Sequence, residues 1–445
     1  MFFPMLKGTR LQRVTETKLP GLDRRESAAT PGFREMENLC SEGYPALRTR
    51  PGRGLVETLK KPNGLLAKDA LLWVDGKHLY MNGLEVGPEL TDGEKSLVSM
   101  GAYVVAFPGT VAGGAVTETA MKLRRFVPEM DYVVQSGNRL WGCKYGMVDG
   151  KPVNEIYASK LGDCKNWRCF AGLATDSYAA ARGSDGVFTG AVSYLGNPIF
   201  FKERCMERVY ASGSGAHQIV TTECSGVQKG SARSLQVVGG VLYYLSGDGV
   251  QAFDGSLPVC VSQALGAERY HGGVAGCWQE KYYLSALDRE EKPSLLVYDS
   301  ARQLWHREDA LRAVDFAGKG TELYALGTDG RLWSLHGQSG QAEETFSWQV
   351  ETGEMGMQSP ERKRLTQLFL YLRPEKGQAV TAWVSYDQGE TWIRQGQIVG
   401  SGGIREQAIA IRSRQCRRLR LRLTGSGQCT LYALTALYEK GSDGP

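Results

Sequence analysis

Histidine is scarce in this chain of 445 residues: it has five, at 78, 217, 271, 306 and 336, and no two stand at metal-ligand spacing. The ten cysteines are scattered with no C-x-x-C pair, which removes zinc ribbons and redox dithiols. Scattered thiols of this kind read as buried and reduced, so synthesis is expected in a reducing cytoplasm. No 18-residue apolar run occurs, so no membrane-spanning helix is expected. The start, Met1 to Lys7, places apolar residues before the basic one, the reverse of a secretory signal. Phosphate-cradling G-x-x-x-x-G-K-[ST] and G-x-G-x-x-G frames are missing, and so is the nucleophile frame G-x-S-x-G. Gly213-Ser214-Gly215, Gly400-Ser401-Gly402 and Gly425-Ser426-Gly427 read as turns. Nothing in the chain reads as catalytic, and no cofactor is implied. Basic residues outnumber acidic ones only as 53 to 48, so any polyanion-binding surface must be local.

Glycine is plentiful: 56 residues against 16 prolines, with 9% aromatics. This combination favours many short strands joined by tight turns. Residues 1–55 carry Pro20-Gly21, Pro31-Gly32 and Pro51-Gly52 with little periodicity, and predict an extended N-terminal arm. At that length an extended arm can reach an adjacent subunit, and an arm ordered only on assembly should be mobile in an isolated monomer. Over residues 56–344 one theme recurs. Leu71 to Tyr80 joins two apolar runs through Asp75-Gly76, as a tight hairpin does. Leu242 to Phe253 and Leu323 to Leu335 align residue for residue around Asp248-Gly249 and Asp329-Gly330. A second hairpin recurs at Ile156 to Trp167 and Leu296 to Trp305, read as an inner strand, a polar turn and an outer strand closed by tryptophan. A small sheet buries both faces only when neighbours stack on it, and about 42 residues per unit predicts a β-propeller of six to eight blades, seven favoured. A pair of β-sandwiches is the competing arrangement. Residues 345–440 show longer alternating runs, Leu365 to Leu372, Val380 to Tyr386, Glu406 to Ile411, Arg418 to Leu423 and Leu431 to Tyr438, which predict a C-terminal β-sandwich. Residues 441–445 read as an unpinned tail. The fold class is thus all-β.

Two stretches of the sandwich region carry unusual patterns. Ser385-Tyr386-Asp387-Gln388-Gly389-Glu390-Thr391-Trp392 fits the S-x-D-x-G-x-T-W Asp-box familiar from sialidase propellers. There the aspartate caps turn amides, the glycine takes positive φ and the tryptophan packs beneath, a structural device around Ser385, Asp387, Gly389 and Trp392. The segment 405–423 holds seven arginines in nineteen residues. From Arg418 to Leu423 the alternation is strict, so the leucines should enter the core while Arg418, Arg420 and Arg422 form a comb on the other face. With Arg412, Arg414 and Arg417, these residues are candidates for a subunit interface or a DNA-facing surface; a solvated sheet face is the plainer alternative. Glu361-Arg362-Lys363-Arg364 is a second basic cluster, read as a solvated corner.

The chain also resembles a known family. Pro45-Ala46-Leu47-Arg48-Thr49-Arg50-Pro51-Gly52, Asn154 to Ser159 with Gly162-Asp163 and Trp167, Trp348 to Gly353, Arg417 to Gly427 and Tyr438 to Ser442 together resemble the tail-stabilisation (nozzle) proteins of short-tailed bacteriophages. The resemblance implies a non-enzymatic virion part located in the tail and made in the bacterial host. It implies a homo-oligomeric ring, commonly of six copies, below the portal and its adaptor, extending the channel through which the genome leaves. Partners would be portal, adaptor and other tail proteins, with non-specific contact to packaged DNA. Two other readings stand beside it. One is a carbohydrate-binding tail-tip adhesin using exposed aromatics such as Trp305 or Trp333. The other is a sialidase-like glycoside hydrolase, which needs two carboxylates in one pocket.

Overall fold

A computed structural model describes residues 11–25, 32–108, 110–113, 116–119, 127–210, 217–356, 361–412 and 414–440. The first ten residues, the 26–31 stretch, the Gly213–Gly215 turn and the tail at 441–445 lie outside the described residues.

Seven small antiparallel sheets follow one another along the chain, at 62–86, 96–119, 132–181, 188–223, 236–260, 271–307 and 313–334. They are blades 1 to 7 in that order. Each is an up-and-down meander, because Gly and Asn turns in the left-handed region, such as Gly76 at φ +59° and Asn82 at φ +49°, reverse the chain tightly. Blade 7 is completed by a strand from the other end of the propeller sequence: Gly54–Thr58 pairs with Arg331–Ser334, and Gln341–Ala342 pairs in turn with Gly54–Thr58. The propeller therefore starts at Gly54, two residues before the expected boundary.

Ring closure is visible in the packing. Seven apolar clusters mark the seven seams between blades. Leu65 and Trp73 of blade 1 pack with Leu326 and Leu332 of blade 7, for example, and Phe201 of blade 4 packs with Tyr244 and Phe253 of blade 5. Every blade thus buries both faces against its neighbours, the condition that small sheets need for stability. At the axis, a single turn of 3-10 helix, Ala232–Ser234, precedes the inner strand of blade 5. From it Arg233 donates to the Val314 carbonyl of blade 7 at 2.6 Å and to the Lys95 carbonyl ahead of blade 2 at 3.1 Å. One guanidinium ties three separated blades together and occupies the middle of the ring.

The recurring hairpins fall into place with one change. Leu71–Asp75 with His78–Met81, Val241–Ser246 with Gly249–Phe253, and Glu322–Gly327 with Arg331–Ser334 are all second and third strands of their blades. Lys151–Ala158 and Pro293–Asp299 are third strands rather than inner ones. Trp305 lies on the outer strand Leu304–Arg307, whereas Trp167 lies in the long loop before Tyr178–Ala181 and is buried beside Met130 and Val133. Its indole N–H donates to Cys164 O at 2.9 Å, so that loop, rather than a strand, uses the tryptophan.

The sandwich has two sheets. One runs Leu39–Cys40, Leu47–Thr49, Cys429–Lys440, Lys363–Pro374, Arg405–Ala410, with Leu11–Glu16 also paired to Cys429–Lys440 and Gln415–Cys416 to Lys363–Pro374. The other runs Phe33–Glu37, Ser347–Thr352, Arg420–Ser426, Ala379–Ser385, Ile393–Val399. The N-terminal stretch is extended, but its destination corrects the expectation of a mobile arm reaching another subunit. Its described residues pair within their own chain, Leu11 opposite Glu439 and Met36 opposite Val350. The physical reason is apolar burial: Leu19, Leu22, Phe33, Met36 and Leu39 are at most 5% exposed and belong to the core that holds the sandwich leucines.

That same core continues into blades 5 and 6 through Tyr243, Tyr282, Tyr298 and Trp305. Along the seam, Leu22 N donates to Trp305 O at 2.6 Å, and a Cβ on Gly21 would lie 2.1 Å from that oxygen, so only glycine passes there. Ser41 Oγ donates to Asp299 Oδ2 at 2.6 Å. Arg53, whose side chain is 4% exposed, pairs with Glu308 at 2.9 Å and Asp309 at 2.7 Å. Residues 19–25 and 32–53 therefore form a strap between the rim of blade 6 and the sandwich.

Candidate functional site

The arginine-rich stretch divides into two parts with different electrostatics. Leu419, Leu421 and Leu423 are buried in the sandwich core, so Arg418, Arg420 and Arg422 turn to the opposite face. They do not project as a free comb. Glu351, opposite Arg422 in the sheet register, takes Arg422 at 3.0 Å and Arg420 at 3.6 Å, and Glu354 takes Arg418 at 2.8 Å. Arg422 also lies over the Trp392 ring at 3.8 Å. Arg420 and Glu351 are largely buried, with side chains 13% and 7% exposed, so this charge is spent inside the fold.

Arg412, Arg414 and Arg417 differ. With Arg362 and Arg364 they are exposed, and none of the five guanidiniums has a side-chain partner among the described residues. Their backbone, in contrast, is pinned. Arg412 N donates to Gln395 Oε1 at 2.7 Å, and Tyr386 OH donates to Arg412 O at 3.3 Å. Gln415 and Cys416 pair in register with Arg364 and Lys363. Lys363 is buried at 1% exposure and donates to Arg417 O at 2.9 Å and to Gly356 O. Burial holds the Lys363 ammonium below its ordinary pKa. Arg418, Arg420 and Arg422 are therefore ion-paired within the sandwich, whereas Arg412, Arg414 and Arg417, with Arg362 and Arg364, form a ledge of positive charge without side-chain partners among the described residues.

The Asp-box turn sits beside this ledge. Ser385 Oγ accepts Gly389 N at 2.9 Å, Asp387 Oδ1 accepts Thr391 N at 2.9 Å, and Gly389 stands at φ +98°. The Thr391 hydroxyl also bonds Asp387, and these donors hold the Asp387 carboxyl down to about 2. The motif's variable position, Tyr386, is the residue whose hydroxyl reaches Arg412. The box thus joins two strands of the sandwich and supports the arginine ledge.

The reading of Glu361-Arg362-Lys363-Arg364 as a solvated corner is corrected at Lys363, which is buried at 1% exposure, while Glu351 and Gln395 were given no supporting role. Lys363 was legible in principle, since period-2 alternation with Leu365 turns it inward between Arg362 and Arg364. Glu351 was legible in the same way, alternating with Val350 and Trp348. Gln395 carried no local signal.

Elsewhere, Trp305 is 1% exposed under the strap, with its N–H on Val261 O at 2.8 Å, which removes it as a surface for sugars. Trp333 is half-buried, with Arg331 at 6.0 Å from its ring. At the axis Asp315 accepts Leu65 N at 3.3 Å, and burial raises its pKa. A polar cleft of about 410 Å³ on the rim of blades 4 and 5 is lined by Glu203, Arg204, Cys224, Ser225, Gln228, Gly247 and Asp248. Its Asp248 is engaged by Ser225 Oγ at 2.5 Å. Among the described residues no group of three or more His, Cys, Asp or Glu side chains is placed to hold a metal, and no helix is long and apolar enough to cross a membrane. None of the ten cysteines forms a disulfide.

No protein-family model and no curated protein matches the chain. Among solved structures, the chain is similar to BamB from Moraxella catarrhalis at 12% identity and TM-score 0.36, covering 64% of this chain and 97% of that one. It is similar to Trypanosoma rangeli sialidase at 9% identity and TM-score 0.33, covering 86% and 97% respectively. It is similar to an exo-β-1,3-galactanase from Phanerochaete chrysosporium at 11% identity and TM-score 0.25, covering 68% and 94%. The assignment of a seven-bladed propeller joined to a β-sandwich rests on the chain's own strand pairing.

Proposed function

We infer that the chain is a structural, non-enzymatic virion protein: a subunit of a bacteriophage tail nozzle or head-to-tail ring that extends the DNA exit channel below the portal and adaptor. The observation that carries this reading is mechanical. The strands Leu11–Glu16 and Cys429–Lys440 pair in one sandwich, and the strap that follows the first of them shares a continuous core with blades 5 and 6. Propeller and sandwich then move as a single body, with short protected edges and broad faces for packing against copies of itself. The sequence resemblance to nozzle proteins points the same way.

The axis adds a geometric condition. Arg233 spans the centre of the ring, so in an assembly the bore lies between subunits and not through any propeller. The test is electron microscopy of the purified chain, alone and on a portal–adaptor complex. Closed rings with a bore wide enough for duplex DNA are expected. Monomers under both conditions would reject the reading, and binding on a glycan array in their place would move it to the adhesin.

A further inference from the structure

We propose that the ledge formed by Arg362, Arg364, Arg412, Arg414 and Arg417 binds the phosphate backbone of duplex nucleic acid without regard to sequence. The proposal deepens the ring reading, which implies non-specific contact with packaged DNA, by naming the surface that makes the contact. It rests on that reading for its biological setting, while its binding test is separate from the test for ring assembly.

Three features carry it. First, selectivity of pairing: Arg418, Arg420 and Arg422 find Glu354 and Glu351 within 4 Å, while the five ledge arginines have no side-chain partner among the described residues. Of the acids beside the cluster, Glu361 is taken by Lys440 at 3.4 Å, and Glu439, opposite Arg364 in the sheet register, is not within 4 Å of its guanidinium. A chain with 48 acidic residues to choose from leaves these five guanidiniums open.

Second, preorganisation. Surface arginines usually lose entropy when ordered at an interface. Here the backbone is fixed beforehand by Gln395, Tyr386, Lys363 and the pairing of Gln415–Cys416 with Lys363–Pro374. Arg364 lies on the strand Lys363–Pro374 and Arg362 immediately precedes that strand, so the two flank the buried Lys363. Arg417 directly follows the paired strand Gln415–Cys416, and its carbonyl accepts from Lys363, which keeps it beside Arg362 and Arg364.

Third, chemistry. All five are arginines, whose planar fork meets phosphate oxygens in bidentate fashion and stays charged at any working pH. A cluster of cations on a pinned backbone matches a polymer with regular negative charge, and phosphate contacts of this kind carry no sequence information. An acidic protein face is the competing partner; its irregular carboxylates would be met equally well by a mixture of lysine and arginine.

The experiment measures binding of the full-length chain to a fluorescent mixed-sequence DNA duplex by anisotropy, across a salt series. Five phosphate contacts predict a slope of log K against log salt near −4.5, and affinity falling about 500-fold between 50 and 200 mM salt. Changing Arg362, Arg364, Arg412, Arg414 and Arg417 to Gln together should abolish the salt-dependent binding, and Arg364→Gln alone should lower the slope by about 0.9. Scrambling the duplex sequence should leave the affinity unchanged. The proposal is overturned if the five-fold variant, with an unchanged melting profile, binds as well as the parent chain. It is also overturned if poly-glutamate competes with the duplex charge for charge, which would assign the ledge to an acidic protein.

Discussion

The propeller and the sandwich use the same kind of strand but are specified in different ways. Blades 1 to 6 each close within a few tens of residues, with turns fixed by residues such as Gly76 and Asn82, and only blade 7 borrows a distant strand, Gly54–Thr58. The sandwich pairs strands from opposite ends of the chain, Leu11 with Glu439 and Leu47 with Leu431. Local pairing makes a structure that repeats along the sequence, whereas non-local pairing makes one that locks the termini. The difference suggests what each half is for: the propeller supplies a disc, and the sandwich fastens it and displays the arginine ledge.

The comparison breaks most directly at the seam. Trp305 lies on the blade 6 outer strand beneath the strap and is almost fully buried. Trp305→Ala should cost about 3–5 kcal/mol, because a large cavity opens in a core shared by both halves. In urea the parent chain should unfold in one transition. Two separate transitions in the parent chain, with the variant affecting only one, would show that the halves are independent.

A smaller effect is expected inside the propeller. Arg233→Ala removes donors from Val314 O and Lys95 O at the axis, and should cost about 1–3 kcal/mol. A loss equal to that of Trp305→Ala would mean the axis, and not the seam, is the weak point. No loss at all would mean that blade-to-blade packing alone closes the ring.

The smallest effect at neutral pH comes from His306, which appears only on acidification. It is buried at the seam, and neither ring nitrogen has a partner. Burial, reinforced by Lys281 and opposed by Asp299, pushes its pKa down to about 3. The unfolded chain binds this proton near pH 6.5, so the folded state is favoured fully above that value and loses stability as pH falls toward about 3. The slope approaches about 1.4 kcal/mol per pH unit within that window. His306→Phe should flatten it, and an unchanged pH profile in the variant would assign the acid sensitivity to other groups.

These differences also explain what was legible in the sequence. Asp75-Gly76, Asp248-Gly249 and Asp329-Gly330 announced hairpins because turn chemistry is local, and repetition then implied a propeller. The alternation from Arg418 to Leu423 placed the leucines in the core correctly. It said nothing of which arginines were neutralised, since Glu351 and Glu354 are brought to them across the sheet from some seventy residues away. The strap was missed for the same reason. Leu19, Leu22 and Met36 show no clean period, and the surfaces that bury them, blade 6 and the C-terminal strands, exist only once the ring has formed. The borrowed strand Gly54–Thr58 likewise gives no sign in sequence that it belongs to blade 7.

The reconstruction that bears most directly on the account is one of the native particle at a resolution sufficient to place this chain. The account predicts a closed ring of copies in the tail, with the bore running between subunits and Arg362, Arg364 and Arg417 turned toward nucleic acid. A particle that lacks the chain, or one in which the bore passes through the propeller axis where Arg233 sits, would contradict it.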